Sequence, residues 1–143
     1  IRERQGLKQL ISNEKEALET AKGSLRNNSC VFVAEDHGKL IGFARVQCWD
    51  GAYFVREVHV TKPFRRKGVG SQLLASCENA VRKNGETSIY LTVEPKHSVS
   101  LKFLIHNGYD TLNMLELRKD FAETDMPERH GSVEILGHKL RLL

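Results

Sequence analysis

The sequence has few of the residues that build disulfide-linked or metal-bound folds. It contains three cysteines in 143 residues, and no two of them form a C-x-x-C pair. An odd, widely spaced set argues against a disulfide framework and against a zinc site. We therefore interpret Cys30, Cys48 and Cys77 as reduced thiols of a cytoplasmic protein, with no metal bound.

Long apolar runs are also missing, which argues against a transmembrane helix and a membrane partner. No secretory signal opens the sequence. With 40% hydrophobic and 28% charged residues, the composition is that of an ordinary globular protein. A chain of this length can bury its core as one domain, so residues 1–143 are predicted to form a single domain.

Positive charge is concentrated in one segment. Residues 56–67 hold five cations and one anion, a net charge of +4, which equals the net charge of the whole chain. A basic excess confined to one turn favours a small anion over a long polyanion, so no nucleic-acid partner is predicted. A small nucleic-acid-binding protein using Arg65–Lys67 stays as an alternative, although the interleaved aromatic residues of such sites are missing.

Hydrophobic periodicity and turn residues give the element order. A helix is predicted over residues 2–23, and a further helix over Ser71–Lys83. The later part holds a short helix over Ser98–Asn107 and a terminal hairpin over Ser132–Leu143. The predicted strands are Ser29–Glu35, Leu40–Cys48, Tyr53–Val60, Ser88–Val93 and Tyr109–Arg118. A meander followed by a strand–helix–strand crossover predicts an α/β fold with a mixed sheet and helices on both faces.

The turn after the third predicted strand has the composition of an anion site. Pro63 ends the strand, and the cations of Arg65–Lys67 are followed by Gly68 and Gly70 just before a helix. Such a turn can aim several backbone N–H groups and a helix N-terminus at one pyrophosphate. A Rossmann site is disfavoured because Leu73 stands where the third glycine would be, and no Walker A motif is present.

Two motifs resemble one family. The run R-R-K-G-V-G at residues 65–70 matches the [Q/R]-x-x-G-x-[G/A] signature of the GNAT acetyltransferase superfamily. Residues 100–109, S-L-K-F-L-I-H-N-G-Y, are similar to the family's A-x-x-L-Y-x-x-x-G-[F/Y] motif. The resemblance covers about residues 1–118, which makes 119–143 a C-terminal extension. The chain begins with Ile1 rather than Met, which leaves open whether the family's first strand precedes it.

The resemblance implies how acetyl-CoA binds. The cofactor would lie where two parallel strands splay apart, here Tyr53–Val60 and Ser88–Val93. Backbone groups of Val58, His59 and Val60 would pair with the pantetheine arm. The pyrophosphate would be held by the turn and the helix start, with Arg65 adding positive charge. The residues implied to supply its N–H groups are Arg66, Lys67, Gly68, Val69, Gly70 and Ser71.

The catalytic residues are less clear from the same resemblance. Leu104 stands where the family usually has a tyrosine that protonates the leaving thiolate. His97 stands at the family's usual asparagine and is the candidate that could bond the cofactor amide as asparagine does, or exchange a proton near neutral pH. Glu57 is the first candidate for the base that deprotonates the amine, with Glu94 as the second. The non-catalytic alternative for Glu57 is a surface carboxylate that is paired with Arg56 or with a neighbouring strand. The non-catalytic alternative for His97 is an exposed histidine in a loop. A bulge in the third strand would change which side chains face the cleft.

The resemblance therefore implies an N-acetyltransferase that moves an acetyl group from acetyl-CoA to a primary amine by direct transfer in a ternary complex. The acceptor is left open between a small amine, a protein N-terminus and a lysine side chain. A CoA-binding sensor or regulatory domain without catalysis is the alternative, because the tyrosine is replaced. The alternating C-terminal strands also predict a possible homodimer.

Overall fold

The computed structural model describes residues 29–121 and 131–142. The chain divides into two compact units between Thr92 and Val93. The first unit holds β1 (Ser29–Asp36), β2 (Lys39–Trp49), β3 (Ala52–Val60), a 3-10 turn (Lys62–Phe64), α1 (Val69–Lys83) and β4 (Tyr90–Leu91). The second unit holds α2 (Ser98–His106), β5 (Ser132–Ile135) and β6 (His138–Arg141).

The first three strands form the predicted antiparallel meander. Its two hairpin turns each contain a pair of residues with positive φ, His37–Gly38 (47° and 75°) and Asp50–Gly51 (50° and 76°). Such pairs match the right-handed twist of the strands that they join. The sheet order is β1-β2-β3-β4, and α1 is the crossover to β4, which pairs with β3 in parallel. The predicted mixed α/β sheet is thereby confirmed.

The core of the first unit lies between α1 and one face of the sheet. Helix α1 buries residues at helical spacing on one side, as its sequence predicts. The buried side chains of the helix are Leu73, Leu74, Cys77 and Val81, and those of the strands include Cys30, Ala44, Val46 and Val55. The helix ends at Lys83 with Asn84 as its C-cap. Gly85 follows with φ of 87° and donates its N–H to the Arg82 carbonyl, a usual C-terminal arrangement.

A β-bulge interrupts β3 at Arg56. Glu57 pairs with Arg45 and Val55 pairs with Val46, so Arg56 has no partner on β2. A bulge bends its strand and increases the local twist. The ladder to β4 contains only Phe54–Tyr90 and Val55–Leu91, and it ends directly before the bulge. The strand predicted over residues 88–93 is correspondingly reduced to two residues.

The second unit confirms α2 and the C-terminal hairpin, but the strand predicted over 109–118 is wrong. Residues 109–118 have no regular secondary structure. Their apolar side chains follow a strand-like pattern, but a strand also needs a neighbour for its backbone N–H and C=O groups, and no described strand pairs with them. The helix predicted over residues 2–23 lies outside the described residues. None of the described helices has the length and apolar character needed to cross a membrane.

Candidate functional site

The segment between β3 and α1 is a tight turn with two left-handed residues. The N–H of Thr61 donates to the Ile41 carbonyl at 2.8 Å, which fixes the end of β3 against β2. The 3-10 turn is then closed by a bond of 3.2 Å from the Arg65 N–H to the Lys62 carbonyl. Arg66 and Gly68 have φ of 62° and 83°. Residues of this conformation in a turn can direct successive N–H groups into one concavity.

The six successive backbone N–H groups from Arg66 to Ser71 have no hydrogen-bond acceptor among the residues that the structure describes. The first bond of the helix is from the Gln72 N–H to the Gly68 carbonyl, at 3.0 Å. Helix α1 begins at Val69, two residues before the predicted Ser71, so Val69, Gly70 and Ser71 form its first turn. The unpaired N–H groups and the helix dipole there favour an anion, and no acidic residue occupies that turn.

The cations around the turn are held in different ways. The Arg65 Nε donates to the Val60 carbonyl oxygen at 2.7 Å, so this guanidinium is fixed against the end of β3. The Lys67 ammonium lies 5.5 Å from the centre of the Phe64 ring, a cation–π contact. The Arg66 side chain makes no hydrogen bond or ion pair with the described residues. The turn therefore has one anchored guanidinium and two cations at its surface.

Strand β3 has an open edge beside this turn. Because the Thr61 N–H points to β2, the alternation of an antiparallel ladder directs the N–H and C=O of His59 to β2 as well. The same alternation directs the backbone groups of Val58 and Val60 away from β2. No described strand pairs with β3 on that side beyond Val55. Of the three residues predicted to bind pantetheine through their backbone, Val58 and Val60 face the open edge and His59 does not.

Gly42 makes room for the end of this edge. A Cβ at Gly42 would lie 2.7 Å from the His59 carbonyl oxygen and 3.2 Å from a methyl carbon of Leu73. Real Cβ atoms almost never approach a carbonyl oxygen so closely. Strand β2 can therefore approach His59 and Val60 only because residue 42 has no side chain.

Glu57, the first candidate base, is held by a guanidinium on the neighbouring strand. The Arg45 Nη2 and Nε lie 3.3 Å and 3.4 Å from the two carboxylate oxygens. Both side chains are partly exposed, on the sheet face opposite α1. The cross-strand pairing that the sequence offered as the alternative for Glu57 is present, with Arg45 rather than Arg56 as partner. The carboxylate still has free lone pairs, because each oxygen can accept more than one hydrogen bond.

The remaining catalytic candidates lie in the second unit. The Lys96 ammonium is 3.0 Å from the Glu94 carboxylate, and this hydrogen bond lowers the pKa of Glu94 below its ordinary value. The His97 ring lies 3.8 Å from the same carboxylate, just before α2, and is exposed. Leu104 is buried and apolar, so it supplies no proton. His97 and Glu94 thus form an exposed charged cluster, and Lys96 and His97 share one carboxylate.

Arg56 has a role that the sequence did not indicate. Its guanidinium carbon lies 4.7 Å from the centre of the Phe54 ring and 5.2 Å from that of Trp49, and its Nε donates to the Gln47 side chain at 3.3 Å. In the sequence, Arg56 was only one of five cations. The stacking depends on the bulge, which no local pattern of residues indicates.

In the part of the chain that the structure describes there is no metal site, and two of the three cysteines, Cys30 and Cys77, are buried while Cys48 is half-buried. No group of three or more His, Cys, Asp or Glu there could hold a metal ion. Burial raises the pKa of Cys30 to about 11. Burial, with smaller effects of Cys30 and Glu78, raises that of Cys77 to about 12. Both thiols are therefore protonated near neutral pH, which agrees with their interpretation as buried reduced cysteines.

Comparison with solved structures finds the same fold in several proteins. The aminoglycoside N-acetyltransferase AAC(6')-Iy in complex with CoA is similar at a TM-score of 0.60 and 20% identity, over 82% of this chain and 86% of that chain. The aminoglycoside 6'-N-acetyltransferase AAC(6')-IG from Acinetobacter haemolyticus has a TM-score of 0.57 and 14% identity, over 85% and 81%. A transcriptional regulator from Bacillus halodurans C-125 has a TM-score of 0.56 and 18% identity, over 75% and 77%. At these identities the likenesses show the fold.

The sequence comparison is more direct. Among curated proteins, no sequence matches the chain. The model of the acetyltransferase (GNAT) family matches residues 4–109, a stretch that includes the cationic turn, β3, β4 and α2. The match agrees with the predicted cofactor, acetyl-CoA, as does the CoA in the AAC(6')-Iy structure. The chain belongs to the acetyltransferase (GNAT) family.

Proposed function

We propose that this chain is an N-acetyltransferase that transfers the acetyl group of acetyl-CoA directly to a primary amine within a ternary complex. The observation that carries the proposal is the row of N–H groups from Arg66 to Ser71 that have no acceptor among the described residues. This row lies beside the open edge of β3 at Val58 and Val60. The N–H groups of the turn suit a pyrophosphate, and the open edge of β3 suits an extended chain that contains amides. CoA has both parts in that order.

The residues of the first unit suit the binding of the donor. The N–H groups of the turn, with Arg66 and Lys67 nearby, would neutralise the pyrophosphate through charge-assisted hydrogen bonds. Val58 and Val60 would pair with the pantetheine amides as an additional strand would. Their N–H groups are also the donors available to polarise the thioester carbonyl as negative charge develops on its oxygen.

The transfer itself needs one proton removed and one supplied. The neutral amine attacks the thioester carbon, so that a C–N bond forms and the C–S bond breaks. The amine loses a proton, and the departing thiolate gains one. Glu57 is the candidate that receives the amine proton, directly or through a water molecule. Leu104 cannot donate a proton. We therefore assign the role of proton donor for the departing thiolate to water or to His97.

Direct transfer rather than an acyl-enzyme is supported by the cysteines. A covalent intermediate on cysteine needs a thiolate, and the high pKa values of Cys30 and Cys77 prevent one near neutral pH. Cys48 lies near the far end of β2, opposite Tyr53, several residues away from the open edge at Val58 and Val60.

The proposal is tested by measuring thiol release from acetyl-CoA in the presence of a panel of primary amines, together with thermal unfolding with and without CoA. An acetyltransferase gives amine-dependent turnover and stabilisation by CoA, since a ligand at about 100 times its Kd contributes about 2.7 kcal/mol. Stabilisation without turnover would indicate the sensor domain instead, as the loss of the family tyrosine at Leu104 suggests. If CoA neither stabilises the protein nor turns over, the proposal is overturned.

A further inference from the structure

We infer that Arg56 is a specificity-determining residue that binds a carboxylate or phosphate group of the acceptor, so that the substrate is a small primary amine bearing an oxyanion. The inference rests on the proposed function, since it names the acceptor of the same site. It starts from the side chains around Arg56, all of which lie in the first unit.

The guanidinium of Arg56 is held in place by three neighbours. Phe54 and Trp49 contact it through their rings, and Gln47 accepts the hydrogen bond from its Nε. Phe54 is itself packed against Tyr90, with ring centres 5.4 Å apart. A guanidinium stacked on aromatic rings loses much of its conformational freedom before any ligand arrives. The side chain is therefore preorganised.

The end of this guanidinium has no counter-ion among residues 29–121 and 131–142. Its two terminal nitrogens make no hydrogen bond or ion pair with any described residue, and the neighbouring carboxylate, Glu57, is bound by Arg45. An arginine fork has the geometry for two parallel hydrogen bonds to a carboxylate or phosphate. Arg56 is partly buried, its Nε is bound to Gln47, and its terminal nitrogens have no partner in the part of the chain that the structure describes. Such an arginine is suited to binding a carboxylate or phosphate.

The position of Arg56 relates this fork to the transfer site. It is the first residue of β3 after the last rung with β4, and Val58 follows two residues later, about 7 Å along a strand. The side chain extends from the sheet face opposite α1, the same face as Glu57. An oxyanion held by Arg56 would thus place an amine a few bonds away near both the open edge and the candidate base.

The charges on this face also distinguish the acceptor from a polycation. Beside Arg56, Glu57 is paired with Arg45, so the Arg56 guanidinium is a positive charge that no described carboxylate balances. The aminoglycosides named for two of the similar structures carry several amines, which this face would repel. The acceptor class inferred for this chain therefore differs from that of those proteins.

The first test compares amines of matched skeleton with and without an acid group, γ-aminobutyrate against butylamine and phosphoethanolamine against ethanolamine. We expect kcat/KM to be at least about tenfold higher for the acidic member of a pair. The variant Arg56→Gln should abolish this preference by raising KM for the acidic amines, with KM for acetyl-CoA unchanged. Arg82→Gln, on the exposed side of α1, is the control and should keep the preference.

A second measurement needs no variant and no turnover. Trp49 is the only tryptophan of the chain, and it contacts Arg56, so its fluorescence reports directly on this cluster. With CoA present, γ-aminobutyrate should change the emission saturably, and butylamine should not. Equal responses, or a preference for a polyamine such as kanamycin, would overturn the inference while leaving amine acetylation intact. Failure of the proposed function instead appears as absent turnover with every amine.

Discussion

The side chain of Arg65 binds the carbonyl oxygen of Val60, with 2.7 Å between Nε and O. This bond connects the cationic turn to the edge of β3, because the Val60 carbonyl is one of the groups directed away from β2. The Arg65 guanidinium thus orders the turn and also donates a hydrogen bond to a carbonyl oxygen at the open edge of β3, where the cofactor is proposed to bind. Arg65 therefore differs from Arg66 and Lys67, which make no such bond.

The variant Arg65→Gln should weaken CoA binding more than Arg66→Gln does. Each variant removes one positive charge near the pyrophosphate, but only the first also releases the turn from Val60. A solvent-exposed hydrogen bond of this kind contributes roughly 1 kcal/mol, so we expect a further loss of about fivefold in Kd for Arg65→Gln. Calorimetric titration with CoA measures both. Equal losses would mean that the bond to Val60 does not support the binding conformation.

Gly68→Asp should prevent CoA from binding without unfolding the protein. The new carboxylate would stand among the free N–H groups and would repel the pyrophosphate. A Cβ at Gly68 meets nothing within 4 Å, and its φ of 83° imposes only local strain. Gly85→Asp is the matched control, since Gly85 has φ of 87° and equally open surroundings at the other end of α1. Thermal shifts with CoA should vanish in the first variant and persist in the second. Retained affinity in Gly68→Asp would remove the turn from the site.

Glu57→Gln should lower kcat by about a hundredfold and alter its dependence on pH, if Glu57 accepts the amine proton. The amide oxygen can still accept a hydrogen bond from Arg45, so the fold should be kept. Glu94→Gln should change the rate little, because Glu94 is exposed and bound by Lys96. Glu86→Gln, in the exposed turn after α1, serves as the reference for removing a surface charge. An unchanged pH profile for Glu57→Gln would move the base elsewhere.

The sequence predicted the meander, the helix α1 and the anion-binding turn, because each depends on residues that are close in the chain. Turn glycines, the apolar side of a helix and a cluster of cations are all local. A bulge in the third strand was only a possibility from the sequence. Its position at Arg56 and the end of the β3–β4 ladder were not predictable, since they depend on how strands of distant sequence pair. For the same reason the partner of Glu57 was found only in the structure, and the strand-like pattern of residues 109–118 misled.

Gly42→Ala should destabilise the first unit and weaken CoA binding together. The new methyl group would lie 2.7 Å from the His59 carbonyl oxygen, which is fixed by the ladder between β2 and β3. Crowding of this kind typically costs about 1–3 kcal/mol, and the strand that has to move carries Val58 and Val60. Chemical denaturation and CoA titration measure the two effects. A substitution by alanine at the exposed Lys39 of β2 should leave both unchanged, and a neutral Gly42→Ala would contradict the close approach.

The buried cysteines predict that stability falls as the pH becomes strongly alkaline. In the folded chain the pKa of Cys30 is raised to about 11 and that of Cys77 to about 12, whereas an exposed thiol titrates near 9.0. As the pH rises, the thiols of the unfolded chain therefore lose their protons at a lower pH than those of the folded chain. The contribution of the buried thiols to the free energy of unfolding is complete below pH 9.0 and is lost as the pH rises towards 11 and 12. Urea unfolding between pH 8 and 10.5 measures the slope, which should be shallower in a Cys30→Ala, Cys77→Ala variant. Near pH 8 a thiol reagent should modify Cys48 before the other two, and rapid reaction of all three cysteines in the folded protein would show that the core is open.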